Sequence, residues 1–310
     1  MFVFLLPYVC ACLWGHVGVE TDALHHEKRQ AQEQEAESIR IQADMGWGVW
    51  ELSIQEYLIY KLESVMPDSY EREALKAQAV LLRTEVVRAL QEQGDRRLRV
   101  PGDGLEKWYE ADGNIQKELL PYTEAVEETD GMYLCYDGIP IQASYFKLSN
   151  GRTRDAAKVW QTSKFPYLTS VSCAQDKAAQ DYSSDVTISK ADFLNEIQAR
   201  IGEEYSQQEL WEGMELIYDE TGYVTNVVFN AEEGNEIGQM DGEDFRYLFA
   251  LPSASFETDR TDTQIIFHVT GVGHGFGMSQ YGANCKAING ETYDEILKEF
   301  FLGTELAKIE

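Results

Sequence analysis

The sequence predicts an α+β fold, a single mixed domain of short strands and helices behind an N-terminal membrane anchor. Short alternating runs bounded by turn residues predict strands, and amphipathic helical stretches lie between them without a regular strand–helix alternation. Apolar residues make up 44% of the 310, which is enough for one large core. A continuous apolar run occupies residues 1–15. Together these observations place the domain at residues 46–310.

The apolar run at residues 1–15 is shorter than the ~20 residues that span a bilayer, and Pro7 interrupts it. Its alternative is a buried strand or helix. Because it stands at the extreme N-terminus and polar sequence follows at once, we interpret it as a signal-anchor. It lacks a basic flank, so we expect the natural start to lie upstream of Met1. Residues 16–45 are polar and acidic and predict a solvated helix or linker.

The charge excludes several classes of function. The formal net charge is −28, and such a surface repels nucleic acid and anionic lipid. Outside the expected anchor the cysteines are Cys135, Cys173 and Cys285. An odd three allows at most one disulfide, and no spacing indicates a metal site. We therefore expect no metal, no cofactor and no nucleic-acid partner.

The first elements are a strand within Gly46–Ser53 and a helix over Ile54–Lys61, which Met66-Pro67 ends. Asp68 with Glu71 predicts the cap of the next helix. That helix carries an apolar stripe at helical spacing, formed by Leu75, Ala79, Leu82, Val86 and Leu90. Gln78, Arg83 and Thr84 lie on or beside this face, where polar groups usually satisfy neighbouring backbone.

The middle of the chain predicts a charged insertion at residues 91–121 and then alternating short elements. The predicted strands are Ala125–Val126, Met132–Tyr136, Ile139–Phe146, Met214–Tyr218, Val224–Asn230 and Ile265–Val269. Asp137-Gly138 and Thr221-Gly222 predict turns. Helices are predicted at Lys190–Ile201, capped by Ser189, and at Gly242–Leu251.

Four glycines near the C-terminus alternate with larger residues over residues 271–278, GVGHGFGM. A period of two predicts an extended segment with one bare face, which another backbone or a ligand can approach. Tight packing alone, with His274 as a structural residue, is the alternative. Ser279 begins a short helix that Asn289-Gly290 ends. Thr292 and Glu295 form a capping box for a last helix, closed by Gly303.

Three motifs resemble the stage II sporulation protein D (SpoIID) / amidase enhancer (LytB) family. They are GHGFGMSQYGA at residues 273–283 followed by YDEILKEFFLGTEL, YLIYKLESVMPDSYEREALKAQAVLLRT at 57–84, and the stretch 125–160. The resemblance implies a lytic transglycosylase of peptidoglycan, in which one Glu first protonates the leaving oxygen and then deprotonates the sugar's own 6-hydroxyl. Such an acid needs a pKa raised by a partly apolar pocket.

At the acid position this chain departs from the family pattern. The family motif Y-x-x-G-V-V-A-S-E-M-P aligns without gaps on residues 57–67, and Val65 stands where the Glu is expected. Valine can neither give nor take a proton. Glu63 is the candidate substitute acid, but it lies about 200° away around a helix. A solvent-facing charge is its other interpretation.

The resemblance also assigns substrate-binding residues. Residues 144–153, SYFKLSNGRT, replace the usual YHSxSGGxT, so that Tyr145 and Ser149 are kept while Phe146 replaces the His. The substrate-binding candidates are Ser64, Tyr145, Ser149, His274, Ser279, Gln280 and Tyr281. Some relatives of this family carry a His/Cys zinc site in the segment after the first conserved helix, but residues 91–120 contain neither residue type.

These features predict glycan-strand binding and remodelling of peptidoglycan in sporulation, with the usual catalytic Glu replaced by Val65. The alternative is a catalytically inactive amidase enhancer or scaffold of the wall-remodelling machinery. The expected partners are glycan strands stripped of stem peptides, whose lower charge suits the acidic surface, together with a wall amidase and engulfment-complex proteins. The expected location is the extracytoplasmic face of the cell membrane, with a single N-terminal anchor.

Overall fold

The structure, a computed structural model, describes residues 39–105, 108, 119–202, 205–231 and 234–309. The expected anchor at 1–15 and most of the expected linker lie outside these ranges. In the described part of the chain, no helix combines the length and apolar character needed to cross a membrane. The mixed α+β class is confirmed: within the described ranges, helices and five small sheets alternate irregularly.

The described helices are α1 (Ile54–Val65), α2 (Arg72–Gln93), α3 (Leu120–Glu128), α4 (Ala156–Val159), α5 (Lys190–Ile201), α6 (Gln207–Glu212), α7 (Gly242–Leu248), α8 (Gln280–Ile288) and α9 (Tyr293–Phe300). The strands are β1 (Arg40–Asp44), β2 (Val49–Ser53), β3 (Arg97–Pro101), β4 (Met132–Tyr136), β5 (Ile139–Pro140), β6 (Tyr145–Phe146), β7 (Ser183–Ser189), β8 (Met214–Tyr218), β9 (Val224–Asn230), β10 (Glu236–Asp241), β11 (Phe256–Arg260), β12 (Gln264–Thr270), β13 (Met278–Ser279) and β14 (Glu305–Lys308). A 3₁₀ helix covers Ala174–Ala178.

Helix α2 is the centre of the first hydrophobic core. It contacts α1, α3, α8, α9 and β4. The predicted apolar stripe is confirmed, because Leu75, Ala79, Leu82, Val86 and Leu90 are all buried. The helix ends at Gly94, whose left-handed backbone (φ 69°) suits a residue without a Cβ atom.

Two buried polar side chains of α2 hold the adjacent chain in place, as predicted. Arg83 is 2% exposed and donates to the carbonyl oxygens of Met132 (3.0 Å) and Val126 (3.1 Å). The Thr84 hydroxyl accepts from the backbone nitrogen of Leu134 at 2.9 Å. Helix α3 and strand β4 are therefore fixed to α2 by backbone contacts that an apolar side chain could not make.

A second hydrophobic core lies within residues 186–269. Strands β11, β12 and β7 form one sheet and β10, β9 and β8 another, both antiparallel. Helices α5, α6 and α7 supply further buried residues. The predicted helix Lys190–Ile201 and its cap are confirmed, since the Ser189 hydroxyl accepts from Asp192 N at 3.1 Å.

The N-terminal part of the domain begins earlier than predicted. Strand β1 lies inside the range assigned to the linker and pairs antiparallel with β2 and parallel with β3. Ile41 and Ala43 of β1 are fully buried, so the alternation of apolar residues was present but short. Strand β3 lies inside the expected charged insertion. The predicted strand from Gly46 begins only at Val49.

Three other local predictions are wrong. Ala125–Val126 belongs to α3, because Pro121 starts a helix there and Tyr122 packs on the same buried side. The run Ile139–Phe146 is divided into β5 and β6. Helix α2 has no side-chain cap from Asp68; Glu71 is the N-cap residue, and its backbone nitrogen donates to Asn284 Oδ1 at 2.8 Å.

The Gly-rich segment, residues 271–277, connects the second core to the first. It is not a strand, because Gly271, Gly273, Gly275 and Gly277 all have positive φ, from 76° to 114°. The expected close approach is confirmed: a Cβ at Gly273 would lie 2.7 Å from Phe146 Cβ. What fills the bare face is therefore protein, as the tight-packing interpretation states.

Arg154 secures the Gly-rich segment from one side. Its side chain is 2% exposed, and its Nε lies 2.8 Å from Asp219 Oδ2. The Nη1 atom lies 3.3 Å from Glu243 Oε1, and the guanidinium stands over the Phe276 ring at 4.7 Å. Its backbone nitrogen donates to Gly275 O at 2.8 Å. The buried charge thus has carboxylate partners from the second core.

Replacing Gly277 by alanine is expected to destabilise the fold more than replacing Gly290. Both glycines have positive φ (77° and 91°), so the backbone strain is matched. A Cβ at Gly277 would overlap the Ser144 carbonyl oxygen, whereas nothing lies within 4 Å at Gly290. We expect Gly277→Ala to lose about 2–4 kcal/mol of unfolding free energy and Gly290→Ala about 1 kcal/mol. Urea unfolding at constant m-value measures both, and equal losses would contradict the packing described.

Candidate functional site

Helix α1 sets which of its side chains face one another. A capping box fixes its start: Glu56 N donates to the Ser53 hydroxyl at 3.2 Å, and Ser53 N donates to Glu56 Oε2 at 2.8 Å. The helix runs without interruption to Val65, and Met66 is its C-cap. No slip of two residues occurs. Glu63 and Val65 therefore point about 200° apart, as the sequence predicted.

Glu63 is directed toward α3. Its charge acts on Tyr122, whose phenol donates to Met66 O at 2.9 Å. Burial is the main cause that raises the pKa of Tyr122 to about 12, and the carboxylates of Asp68 and Glu63 add to it. The candidate substitute acid thus lies on the face of α1 opposite to the one that carries Val65.

The other face of α1 carries Tyr57, Lys61 and Val65 at spacings of four residues. The charge of Glu85, on α2, acts on Tyr57 and on Tyr145 of β6. Lys61 in turn acts on Glu85. We call this group the α1–α2 cleft; its members are Tyr57, Lys61, Glu85, Arg88 and Tyr145.

Glu85, Tyr57 and Tyr145 keep exposed surface, although burial raises the pKa of each. Glu85 is exposed, yet burial raises the pKa of its carboxyl to about 7, against the opposing effect of Lys61 and Arg88. Burial likewise raises the pKa of Tyr57, to about 12, and that of Tyr145, although both keep exposed surface.

Two contacts position the walls of the cleft. Arg88 Nε donates to Glu92 Oε1 at 2.9 Å and its Nη1 to Gln142 Oε1 at 3.3 Å. Tyr145 pairs with Met278 in the parallel ladder of β6 and β13. The Gly-rich segment leads directly into β13, so its path determines where Tyr145 lies.

Ser149 and Ser279, both predicted to bind substrate, are fully buried around Asp176. Asp176 Oδ2 accepts from Ser149 N at 2.8 Å and from the Ser279 hydroxyl at 2.7 Å. Burial raises the pKa of Asp176. The Ser279 hydroxyl also caps α8 by accepting from Gly282 N. As folded here, both serines hold the backbone together and are closed to a ligand.

The next two predicted residues are also held internally. Gln280 is 5% exposed, and its Nε2 donates to Gln78 Oε1 at 3.2 Å. His274 Nδ1 accepts from Phe276 N at 3.1 Å, and its ring also bonds to the backbone of Tyr145. Burial, together with nearby arginines, lowers the pKa of His274 to about 4. A neutral ring bonded to two backbone groups matches the structural interpretation of this histidine.

Ser64, Tyr281 and Tyr145 keep surface that a ligand can reach. Ser64 is exposed and its hydroxyl donates to Lys61 O at 2.7 Å. Tyr281 is half-buried beside Cys285, away from the contacts that define the cleft. Of the predicted site residues, Tyr145 is the one that the structure places in the α1–α2 cleft.

A separate cavity of about 470 Å³ contains none of the predicted site residues. Its lining includes Arg152, Lys158, Asp219, Tyr218 and Asn226. In the described ranges no group of three or more His, Cys, Asp or Glu side chains is arranged to hold a metal ion. Cys135, Cys173 and Cys285 are all free thiols.

Glu85 is the functional candidate that the sequence did not reveal. It directly follows the Arg83-Thr84 pair of the second motif and looks there like an ordinary surface charge. Glu85 lies seven residues after Gln78, which puts both residues on the same side of α2. The crowding that perturbs its pKa comes from α1 and β6, which are distant in sequence, and no local pattern encodes it.

Comparison with known proteins covers most of the chain. A family model described as SpoIID, stage II sporulation protein, matches residues 46–136, which include α1, α2 and Glu85. The stage II sporulation protein D of Bacillus subtilis (strain 168) is 32% identical over 288 residues, covering 87% of this chain and 79% of that protein. The chain belongs to the stage II sporulation protein D family. The recognition drawn from the three motifs is confirmed.

Two further relatives extend this family assignment. The stage II sporulation protein D of Bacillus amyloliquefaciens is 32% identical over 283 residues, with 87% of this chain and 79% of that protein covered. The amidase enhancer of Bacillus subtilis (strain 168) is 24% identical over 284 residues, with 78% of this chain but 39% of that protein covered. The family takes part in sporulation, and the name of the amidase enhancer suggests a role in cell-wall remodelling.

The raised pKa of Glu85 predicts how stability depends on pH. The folded state keeps the proton up to about pH 7, while the unfolded state releases it near pH 4.5. Between these values the folded state binds more protons, so wild-type stability falls as pH rises. Glu85→Gln removes this loss. Because Glu85 is exposed and solvent screens it, we expect the variant to gain only about 1 kcal/mol relative to wild type at pH 8, and little at pH 4.

Urea unfolding at the two pH values makes this measurement. Glu127→Gln, which changes an exposed glutamate of α3, is the matched control and should leave the pH dependence as in wild type. If Glu85→Gln and wild type have equal free energies of unfolding at both pH values, the Glu85 carboxyl is not desolvated.

Proposed function

We propose that the chain binds peptidoglycan glycan strands that have been stripped of stem peptides, and remodels the wall during sporulation. The observation that carries this proposal is the α1–α2 cleft, whose residues lie in or directly after the motifs at 57–84 and 125–160. They include two partly exposed tyrosines and an exposed carboxyl. Membership of the stage II sporulation protein D family supports the sporulation context.

The groups of the cleft suit an uncharged sugar polymer. Tyr57 and Tyr145 are neutral phenols at physiological pH, and burial raises the pKa of both still further. Their hydroxyls can donate to and accept from sugar hydroxyls, and their ring faces can stack on pyranose rings. The net charge of −28 favours a strand without acidic stem peptides.

The family's usual acid position lacks proton chemistry here. Val65 is half-buried and packs against the first core. Glu63, the candidate substitute, faces Tyr122 and not the Val65 side of α1. Remodelling by this chain therefore requires either a carboxyl elsewhere in the cleft or a partner enzyme.

The partner-enzyme alternative is favoured by one specific observation. The amidase enhancer of Bacillus subtilis resembles 78% of this chain. On this second proposal the protein is a non-enzymatic activator or scaffold that brings a wall amidase, together with engulfment-complex proteins, to the glycan. Its own cleft would then hold the strand without cleaving it.

We further propose that the protein acts at the extracytoplasmic face of the membrane of a Gram-positive, spore-forming bacterium, held by its N-terminal segment. Peptidoglycan is located there, and the apolar run at residues 1–15 is suited to anchoring. Fractionation of cells during sporulation tests the location. Recovery of the full-length protein from the cytoplasm would contradict it.

The full chain is expected to be retained on purified sacculi, and several-fold more strongly after amidase treatment. Tyr57→Leu keeps an apolar side chain but removes the phenol and the ring face, so retention should fall about 3–10-fold. The matched control is Tyr247→Leu, which changes an exposed tyrosine on α7 in the second core. Equal retention before and after amidase treatment would remove the preference for stripped strands.

The two proposals differ in what happens when a wall amidase is added. An activator raises the rate at which the amidase releases stem peptides from sacculi, while glycan strands keep their length. An enzyme shortens the strands by itself, with no amidase present. Release of stem peptides measured with and without the full chain separates these outcomes.

A further inference from the structure

The cavity of about 470 Å³ shares no lining residue with the α1–α2 cleft. One of its walls is formed by α4 and the segment before it, with Arg152, Asp155 and Lys158 in the lining. The other wall is the hairpin of β8 and β9, with Tyr218 and Asn226 among its lining residues. Sites for small ligands commonly enclose about 300–1,000 Å³, so this cavity has the volume of a ligand site.

Hydrogen bonds hold both walls of the cavity in place. Asp219 Oδ1 accepts from the backbone nitrogen of Thr221 at 2.8 Å, which fixes the turn between β8 and β9. Its Oδ2 accepts from the Nε of the buried Arg154 at 2.8 Å. On the opposite wall, Asp155 Oδ1 accepts from Lys158 N at 3.3 Å and caps α4. A site whose walls are preformed loses less conformational freedom on binding than a flexible one.

Three polar side chains of the lining have hydrogen-bonding capacity left over. Arg152 is exposed and its Nε donates to Ser170 Oγ at 3.4 Å, but across the described ranges its two Nη atoms have no partner. The side-chain amides of Gln161 and Asn226 likewise form no hydrogen bond within the part of the chain that the structure describes. A guanidinium with two free N–H groups binds both oxygens of a carboxylate, and amides match the donors and acceptors of a peptide backbone.

The charges of the lining balance one another. Apart from Asp219, whose partner is the buried Arg154, the lining has two basic and two acidic residues. They are Arg152, Lys158, Asp155 and Glu220. The protein as a whole has a net charge of −28, so this is a locally neutral region of an acidic molecule. Its composition favours a ligand that carries charges of both signs, because each charge then meets an opposite one.

An ion pair joins the two walls at the surface. Lys158 Nζ lies 2.5 Å from Glu220 Oε2, and the two side chains are 59% and 75% exposed. Exposed pairs of this kind contribute little to stability, because water screens them. A ligand that brings its own carboxylate and its own amine can therefore replace each partner of this pair at little cost.

The turn after α4 adds a strained residue to the lining. Gln161 has a φ of 50°, a left-handed conformation that is uncommon for residues other than glycine. Trp160 before it packs against Phe276, with ring centroids 4.3 Å apart. Backbone strain that surrounding packing maintains is frequent at ligand sites. On the other wall, Tyr218 is 44% exposed while its hydroxyl donates to Phe256 O at 3.1 Å, so a fixed ring remains for apolar atoms of a ligand.

We propose that this cavity binds a short zwitterionic peptide with free carboxylates and free amines, the chemical class of the stem peptides that an amidase releases from peptidoglycan. One carboxylate of the peptide pairs with Arg152, and its amines meet Asp155 and Glu220. The side-chain amides of Gln161 and Asn226 bond to its backbone. The lining alone supports a zwitterionic peptide, whereas the choice of a stem peptide rests on the proposed function. The cavity is a second site, separate from that of the glycan strand.

Isothermal titration calorimetry of the full chain with the synthetic peptide L-alanyl-γ-D-glutamyl-L-lysyl-D-alanine tests this site. The free peptide carries two amines and two carboxylates at neutral pH, which matches the charges of the lining. We expect one peptide to bind per chain with a dissociation constant below about 1 mM. The same peptide with both carboxyls amidated should bind at least about 10-fold more weakly. Equal affinity for the two peptides, or no binding of the first, would overturn the proposal.

Variants of one arginine assign the carboxylate to its partner. Arg152→Gln should weaken binding of the free peptide about 10–100-fold and leave the weak binding of the amidated peptide unchanged. Arg152→Lys keeps the charge but not the two-pronged geometry, so its affinity should lie between those of Arg152→Gln and wild type. The matched control is Arg200→Gln, which removes an exposed arginine of α5 paired with Glu196 and should bind as wild type does. Equal losses in Arg152→Gln and Arg200→Gln would contradict the assignment.

Retention of the wild-type chain on amidase-treated sacculi separates this inference from the proposed function. An excess of the free peptide should leave retention unchanged, because peptide and glycan strand occupy different sites. Release of the protein by the peptide would place both ligands in one site and overturn the inference. Peptide binding by a chain that sacculi do not retain would overturn the proposed glycan binding and leave the peptide site standing. Retention without peptide binding would overturn the peptide site alone.

Discussion

The Gly-rich segment passes between the two hydrophobic cores where there is no room for a Cβ atom, and the rest of the structure depends on this fit. Val269 before it belongs to the second core, and Phe276 within it belongs to the first. Backbone bonds to Leu148 and Pro252 hold the segment along its length. A Cβ atom at any of its four glycines would come within 3 Å of a neighbouring group, which belongs to Leu148, Phe146, Tyr223 or Ser144.

The path of the Gly-rich segment also determines the position of Tyr145. The segment continues into β13, which pairs with β6 and sets Tyr145 beside α1 and α2. The charge of Glu85 acts on both Tyr145 and Tyr57, and burial raises the pKa of the Glu85 carboxyl to about 7. A glutamate on an isolated helix surface would be an ordinary charge. The path of the Gly-rich segment thus affects the charges near α1 and α2, where burial raises the pKa of Glu85.

The sequence predicted elements whose causes are local. Ser189 and Thr292 mark their helices correctly because a cap needs only the next three residues. It failed at Ala125–Val126, where packing against Arg83 and α2 outweighs a short apolar pair. The glycines were correctly predicted to permit close approach, and of the two partners considered, protein or a ligand, the structure shows protein. Ser279 and Gln280 belong to a family motif, yet burial gives them structural contacts. Glu85 was missed because its environment is built from α1, α2 and β6 together.

The central claim is that a glycan strand lies across the α1–α2 cleft. The most direct measurement is a crystal structure of the full chain with an oligosaccharide of alternating N-acetylglucosamine and N-acetylmuramic acid. The account predicts sugar rings against Tyr57 and Tyr145. An oligosaccharide bound instead beside Glu63, or in the cavity lined by Arg152 and Asp219, would contradict it.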